Sequence, residues 1–153
     1  MYDKDTVKHT KTEFYTSFGR YMGKHKSVHG NKVKWINYNT GIKHLYIRLE
    51  ADKKCARVCI DLQHKDDDIR ELFYEQFLAL KTAFHENMKN EWIWLEKHYN
   101  ETGHEQSRIY IELIDINIFD KSTWKKAFKF YENYLLKFDS FWVEFKDLFL
   151  QMQ

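Results

Sequence analysis

Proline is missing altogether from these 153 residues, and glycine occurs only at positions 19, 23, 30, 41 and 103. A chain so poor in breakers has little room for a flexible linker, so one domain over residues 1–153 is the natural reading. It is long enough to bury a sizeable core. Cysteine is scarce as well: Cys55 and Cys59 are the two. Their even spacing in a strand-like stretch puts both on one face, too far apart along it to bridge. Free thiols in a reducing compartment are therefore expected. No apolar run approaches the length of a membrane span, and Met1 is followed by charge rather than a signal-peptide core. The expectation is a cytoplasmic protein with no membrane partner. The formal net charge of +2 is too small by itself to imply a polyanion. A Gly-rich phosphate loop and a Gly-x-Ser-x-Gly elbow are also absent, and no cofactor is indicated.

Aromatic rings are what the chain has in excess, at 18% of residues. They concentrate at the C-terminal end, where Trp124, Phe128, Tyr131, Leu135, Phe138, Trp142, Phe145 and Phe149 recur every three or four positions. That spacing predicts one long amphipathic helix over residues 120–153, capped by Asp120 or Ser122. It would run roughly 45 Å, longer than a compact chain of this size is thick. Such a helix crosses the domain, bends around it, or projects to meet a partner.

Upstream, Val7, Phe14, Phe18 and Tyr21 predict a first helix over 5–22 that Gly23 ends in a left-handed turn. A basic polar loop follows over 24–31. Three strands are then expected at 32–38, 44–50 and 55–63, joined by turns at 39–41 and 51–54. Leu45, Ile47, Val58 and Ile60 alternate cleanly with Tyr46, Arg48, Cys59 and Asp61, so one face is buried and the other is not. Asp66-Asp67-Asp68 opens a second helix that runs to about Asn90. Strands at 91–99 and 107–114 form a further hairpin across 100–103. The predicted fold is α+β with the order α-β-β-β-α-β-β-α. It has a five-stranded mixed sheet with a helical crossover between its third and fourth strands. The long helix lies across the face that holds Ile109 and Ile111.

From Arg57 onward the chain resembles a bacterial domain-of-unknown-function family. The likeness is carried by RVCIDLQHKDDDIRELFYEQF (57–77), EWIWLE (91–96), SRIYIEL (107–113) and FDKSTW (119–124). In the first third it is similar only to a subgroup, through TSFGRYM (16–22). The resemblance implies association with a restriction-nuclease-like (PD-(D/E)xK-type) module, to which such domains are often C-terminal. It implies no catalytic residue.

Strand parity yields a candidate site. Opposite the buried face stand Tyr46, Arg48, Glu50, Arg57, Cys59, Asp61 and Gln63, joined by Arg108, Tyr110 and Glu112 if Ile109 and Ile111 point inward. If Ile93 and Leu95 also point inward, Trp92, Trp94 and Glu96 complete the set. Tyr, Trp and Arg are the residues enriched at binding hot spots, and two tryptophan rings left in water make an unusual apolar patch. The plainer alternative is that the first helix covers this face or that the tryptophans point inward.

A PD-(D/E)xK nuclease needs an acid on the second strand close to an acid-x-lysine on the third, so that together they hold a metal. Here Gln63 stands where the lysine belongs. A four-residue turn sets Glu50 opposite Cys55 and Asp61 opposite His44. The two acids are then on the order of 20 Å apart, too far to share an ion. His25 and His29 have the spacing of a helical zinc pair but lie in a polar loop. His44, Asp61 and His64 read as a surface cluster, and Cys59 has no histidine placed beside it. Lys24, Lys26, Lys32 and Lys34, with Tyr21 and Trp35 nearby, form a modest phosphate-binding footprint. A solvated loop is the plainer account of those lysines. The reading that best fits is a non-catalytic binding or accessory module using the polar-aromatic sheet face. Nucleic acid, or a protein that processes it, is the first candidate partner. A metal-dependent nuclease with a degenerate core and a homo-oligomerisation domain are the alternatives.

Overall fold

A computed structural model describes residues 2–153. They fold into α1 (Lys4–Met22), β1 (Leu45–Ala51), β2 (Cys55–Leu62), α2 (Asp67–Ala79), α3 (Lys81–Met88), β3 (Ile93–Tyr99), β4 (Glu105–Ile114) and α4 (Trp124–Leu150). The fold is α+β with a long C-terminal helix, but the sheet corrects the expected one. It has four strands, all antiparallel, in the order β1-β2-β4-β3. The crossover through α2 and α3 delivers β3 to the far edge, so that β4, not β3, pairs with β2. No parallel pair arises.

The missing fifth strand is the segment 32–38. Trp35–Asn37 is a single 3₁₀ turn instead, with Trp35 buried. Its neighbour Ile36 packs so closely on α1 that a Cβ at Gly19 would lie 3.0 Å from Ile36 Cδ1. The apolar residues of this segment thus plug the helix surface rather than alternate across a sheet. Asp3 caps α1, accepting from the Thr6 amide at 2.7 Å. Gly23 is right-handed (φ −58°), which corrects the left-handed turn predicted there.

The expected second helix is broken at Leu80 into α2 and α3. The break turns α3 so that Phe84 meets Trp92, Trp94 and Phe141 edge to face at 5.1–5.5 Å. Such ring pairs add to what burial alone contributes. Along α4, Trp124, Phe128, Tyr131, Leu135, Phe138, Trp142 and Phe149 are all buried. Its length is used in crossing the domain, where it packs against α1, α3 and β2. Leu45, Ile47, Val58, Ile60, Ile109 and Ile111 form the sheet's contribution to the same core. No helix among the described residues is long and apolar enough to cross a membrane.

Candidate functional site

The register of the sheet decides which side chains meet. Asp61 on β2 stands between Tyr46 and Arg108, Cys59 between Arg48 and Tyr110, and Arg57 between Glu50 and Glu112. Because side chains alternate along a strand, these three rows share the face opposite the core. Tyr46 is 40% exposed and Ile93, which joins the Cys59 row beside Tyr110, is 45% exposed. This side of the sheet is open to solvent.

Arg108 is the centre of the face. Its Nε and Nη2 donate to Asp61 Oδ1 and Oδ2 at 2.8 and 2.9 Å, and its Nη1 and Nη2 donate to Glu50 Oε1 and Oε2 at 3.0 Å each. One guanidinium thus forms two bidentate pairs, the strongest geometry available to arginine. Arg57 continues the chain of charges to Glu50 at 3.5 Å and to Glu112 at 3.2 Å. Arg48 lies 3.7 Å from Asp61, donates to Gln63 Oε1 at 3.2 Å, and stacks 4.5 Å from the centre of the Tyr46 ring. The Gln63 amide donates to Gln106 Oε1 at 2.7 Å, and Gln106 lies 3.0 Å from His98 Nδ1. A cleft of about 490 Å³ opens at this end, between the strands and the β3–β4 turn.

Three arginines face Asp61, Glu50 and Glu112, and Asp52 lies 3.9 Å from Arg57 as well, so no arginine of the network lacks a carboxylate. Arg108 is held above its ordinary value by Asp61 and Glu50, against the opposing effect of burial, and keeps its proton at any accessible pH. Glu50 is held below the usual carboxylate range; burial pushes it up, but Arg108 and Arg57 outweigh that. Asp61 is almost wholly buried, and burial pushes it up although Arg108 pulls the other way. Burial, with Arg108 adding to it, lowers His98, which is therefore neutral near pH 7.

Of the residues predicted from parity, Arg48, Arg57, Asp61, Gln63, Arg108 and Tyr110 come together on this face. Trp92 and Trp94 do not. Trp94 pairs with Ile109 across the β3–β4 ladder, while Ile93 and Leu95 pair with Tyr110 and Arg108. The tryptophans therefore face the helices, where Trp92 is buried against Phe84 and Tyr134 and Trp94 packs on Tyr74 and Phe84. The sequence EWIWLE alternates two apolar sets, and the larger rings took the core. His98 and Gln106 were missed. The signal for Gln106 was present, since it lies two residues before Arg108 on the same strand.

The expected register is also corrected. Glu50 stands opposite Arg57 rather than Cys55, and Asp61 opposite Tyr46 rather than His44. The two acids are four rows apart, on the order of 13 Å along the ladder, and their side chains converge on Arg108. The oxygens that a metal would need are taken by a guanidinium, so the donor set does not fit an ion here. Among the described residues no group of three or more His, Cys, Asp and Glu side chains is placed to hold a metal.

The other candidates scatter. Lys24 leans towards Glu132 at 3.9 Å, and Lys26 and Lys32 pair in an isolated bridge. Lys32 and Lys34 line a separate cleft of about 580 Å³ with Lys146, Asp139 and Asp147. His25 approaches Glu132 at 2.6 Å while His29 lines that cleft. His64 is buried, not at the surface, with its ring 4.5 Å from that of Phe73. Cys55 and Cys59 are free and buried, and burial pushes the Cys55 thiol up to about 12 and the Cys59 thiol higher still. Neither is an activated nucleophile.

A family model described as "Domain of unknown function (DUF4268)" matches residues 10–146. The match takes in the first third of the chain, where likeness was visible in the sequence only through 16–22. No curated protein and no solved structure matches.

Proposed function

The chain belongs to the domain-of-unknown-function family DUF4268, and from that premise and the geometry of its sheet we propose that it is a non-catalytic binding module that docks a protein partner on the open sheet face. The observation that carries this reading is the face itself. Exposed Tyr46, Ile93 and Arg48 stand on a lattice of ion pairs that holds its arginines fixed before any partner arrives. Fixed arginine and tyrosine side chains give contact area at low entropic cost, which is how hot spots work. Charge balance favours a protein over nucleic acid at this face, because every arginine already has a carboxylate beside it. The nuclease-like module that the family resemblance brings with it is the first partner to test.

That module, expressed separately, is titrated into the full chain by calorimetry. Tyr46→Ala and Arg48→Ala are expected to weaken binding about tenfold or more each, which is the usual threshold of a hot spot. Both positions are exposed, so the fold is retained, as circular dichroism would verify. Binding that is indifferent to both substitutions removes the face from the reading, and no heat at all removes this partner.

A further inference from the structure

Lys4, Lys8 and Lys11 lie at i, i+4 and i+7 of α1, one above the other along the flank next to the buried Phe14 and Phe18. The β1–β2 turn places Lys53 and Lys54 across from them. Between the two rows run adjoining clefts of about 490 and 420 Å³ that share Tyr2, Val7 and Lys11. Among the described residues, none of these five lysines lies within ion-pair distance of a carboxylate. Of the neighbouring acids, Asp5 is exposed on α1 and three others are already engaged. Asp3 caps α1, Asp52 accepts from the Lys54 and Cys55 amides at 2.8 and 3.0 Å, and Glu13 holds Lys121 at 2.6 Å. Rings line the clefts. Tyr2 stacks on Phe119 with centroids 3.9 Å apart and planes within 6°, and Tyr15 lies further along.

The contrast with the sheet face is one of charge. There every arginine has a carboxylate beside it; here five lysines have none, and Lys53 Nζ lies 5.4 Å from the centre of the Tyr2 ring. Residues 1–34 carry a formal charge of +5 and the remainder −3, so the net charge of +2 is unevenly spread along the chain. An unpaired cationic row beside stacked rings in a cleft fits a chain of phosphates whose bases are free to stack. We propose that this groove binds a single strand of nucleic acid, independently of the sheet face.

The test is fluorescence anisotropy of a fluorescein-labelled oligothymidylate titrated with the full chain over a salt series. If all five lysines meet phosphates, log K falls against log salt with a slope of about −3.5, since each contact on a single strand contributes about 0.7. The triple substitution Lys8→Ala, Lys11→Ala, Lys53→Ala is expected to reduce the slope by about 2 and to weaken binding at low salt by about tenfold or more. The same positions changed to arginine keep the binding. Tyr2→Ala lowers the affinity while leaving the slope unchanged. Arg48→Ala leaves both unchanged, so that failure here is separable from failure at the sheet face. The proposal is overturned if the chain does not bind the oligonucleotide at low salt, or if the triple alanine variant binds like the parent. It is overturned equally if a duplex, or vesicles of phosphatidylserine in phosphatidylcholine, compete as well as the single strand.

Discussion

Replacing Arg108 with methionine removes the guanidinium and keeps much of the stem. Asp61 then has a fully buried carboxylate whose two nearest donors are gone, with Arg48 still 3.7 Å away and largely in solvent. Glu50, about a third exposed, can turn to water and retains Arg57. The cost is therefore dominated by Asp61. Breaking a buried pair by deleting one partner costs about 3–5 kcal/mol. In urea, with a slope of about 2–3 kcal/mol/M for a chain of this size, the midpoint should fall by roughly 1.5 M.

The sign of the pH dependence is a second handle. Without Arg108, the folded-state pKa of Asp61 rises further above that of the unfolded chain. The penalty is then full above the raised value and shrinks as acid neutralises the carboxylate. Arg108→Met should accordingly lose less stability at pH 4.5 than at pH 7. Adding Asp61→Leu to Arg108→Met should restore most of the loss, because an apolar pair of similar volume replaces a buried ion pair at little net cost. A single substitution costing under about 1 kcal/mol at pH 7, or a double mutant no better than the single, would refute the view that Asp61 is ionised and held by Arg108.

Trp94→Ala should lower stability by about 2–3 kcal/mol in denaturant and leave partner binding at the sheet face unchanged, since its ring packs on Tyr74 and Phe84. His64 is lowered to about 4, mainly by burial, from an ordinary value near 6.5. The unfolded chain takes up the proton first, so stability should fall by up to about 3 kcal/mol as pH drops from about 6.5 to about 4, and His64→Phe should flatten that dependence in denaturation curves. Gly41 has φ +75°, and a Cβ there would run into Lys146 Nζ. Gly41→Ala should cost about 1–2 kcal/mol, and Lys146→Ala in the same chain should recover only the steric part.

The α4 stripe and the β1–β2 alternation were legible because each repeats over many residues, and a period sampled that often admits one reading. Where the sequence misled, the pattern was short or doubly consistent. Residues 32–38 alternate for only two periods, and the chain used Ile36 against Gly19 instead of a sheet edge. At 93–95 both parities are apolar, and the contest was settled by tertiary packing: α3 offers Phe84 to whichever ring faces it. The break at Leu80 left no mark in the sequence, since neither glycine nor proline stands there. The convergence of Glu50 and Asp61 was hidden for another reason. Ladder distance counts backbone rows, whereas an arginine on the third strand bridges acids that the backbone keeps apart.

That bridge bears on why charges occupy an open sheet at all. An apolar lattice of the same volume would be as stable, so stability alone does not account for Arg108. What the guanidinium adds is register. It touches acids on β1 and β2 from β4, and a slip of one residue would send it to the core side, where no acid waits. The same fixed register aligns Tyr46, Arg48 and Ile93 into one surface. The β1–β2 turn it secures also carries Lys53 and Lys54 to the cationic groove. The two surfaces are thus set by one ladder and meet at Asp52, which lines the groove and lies 3.9 Å from Arg57, while the side chains that would touch each partner are separate. Groove and face substitutions combined in one chain should therefore lower binding to their respective partners as independent losses, with a coupling energy within about 0.5 kcal/mol of zero.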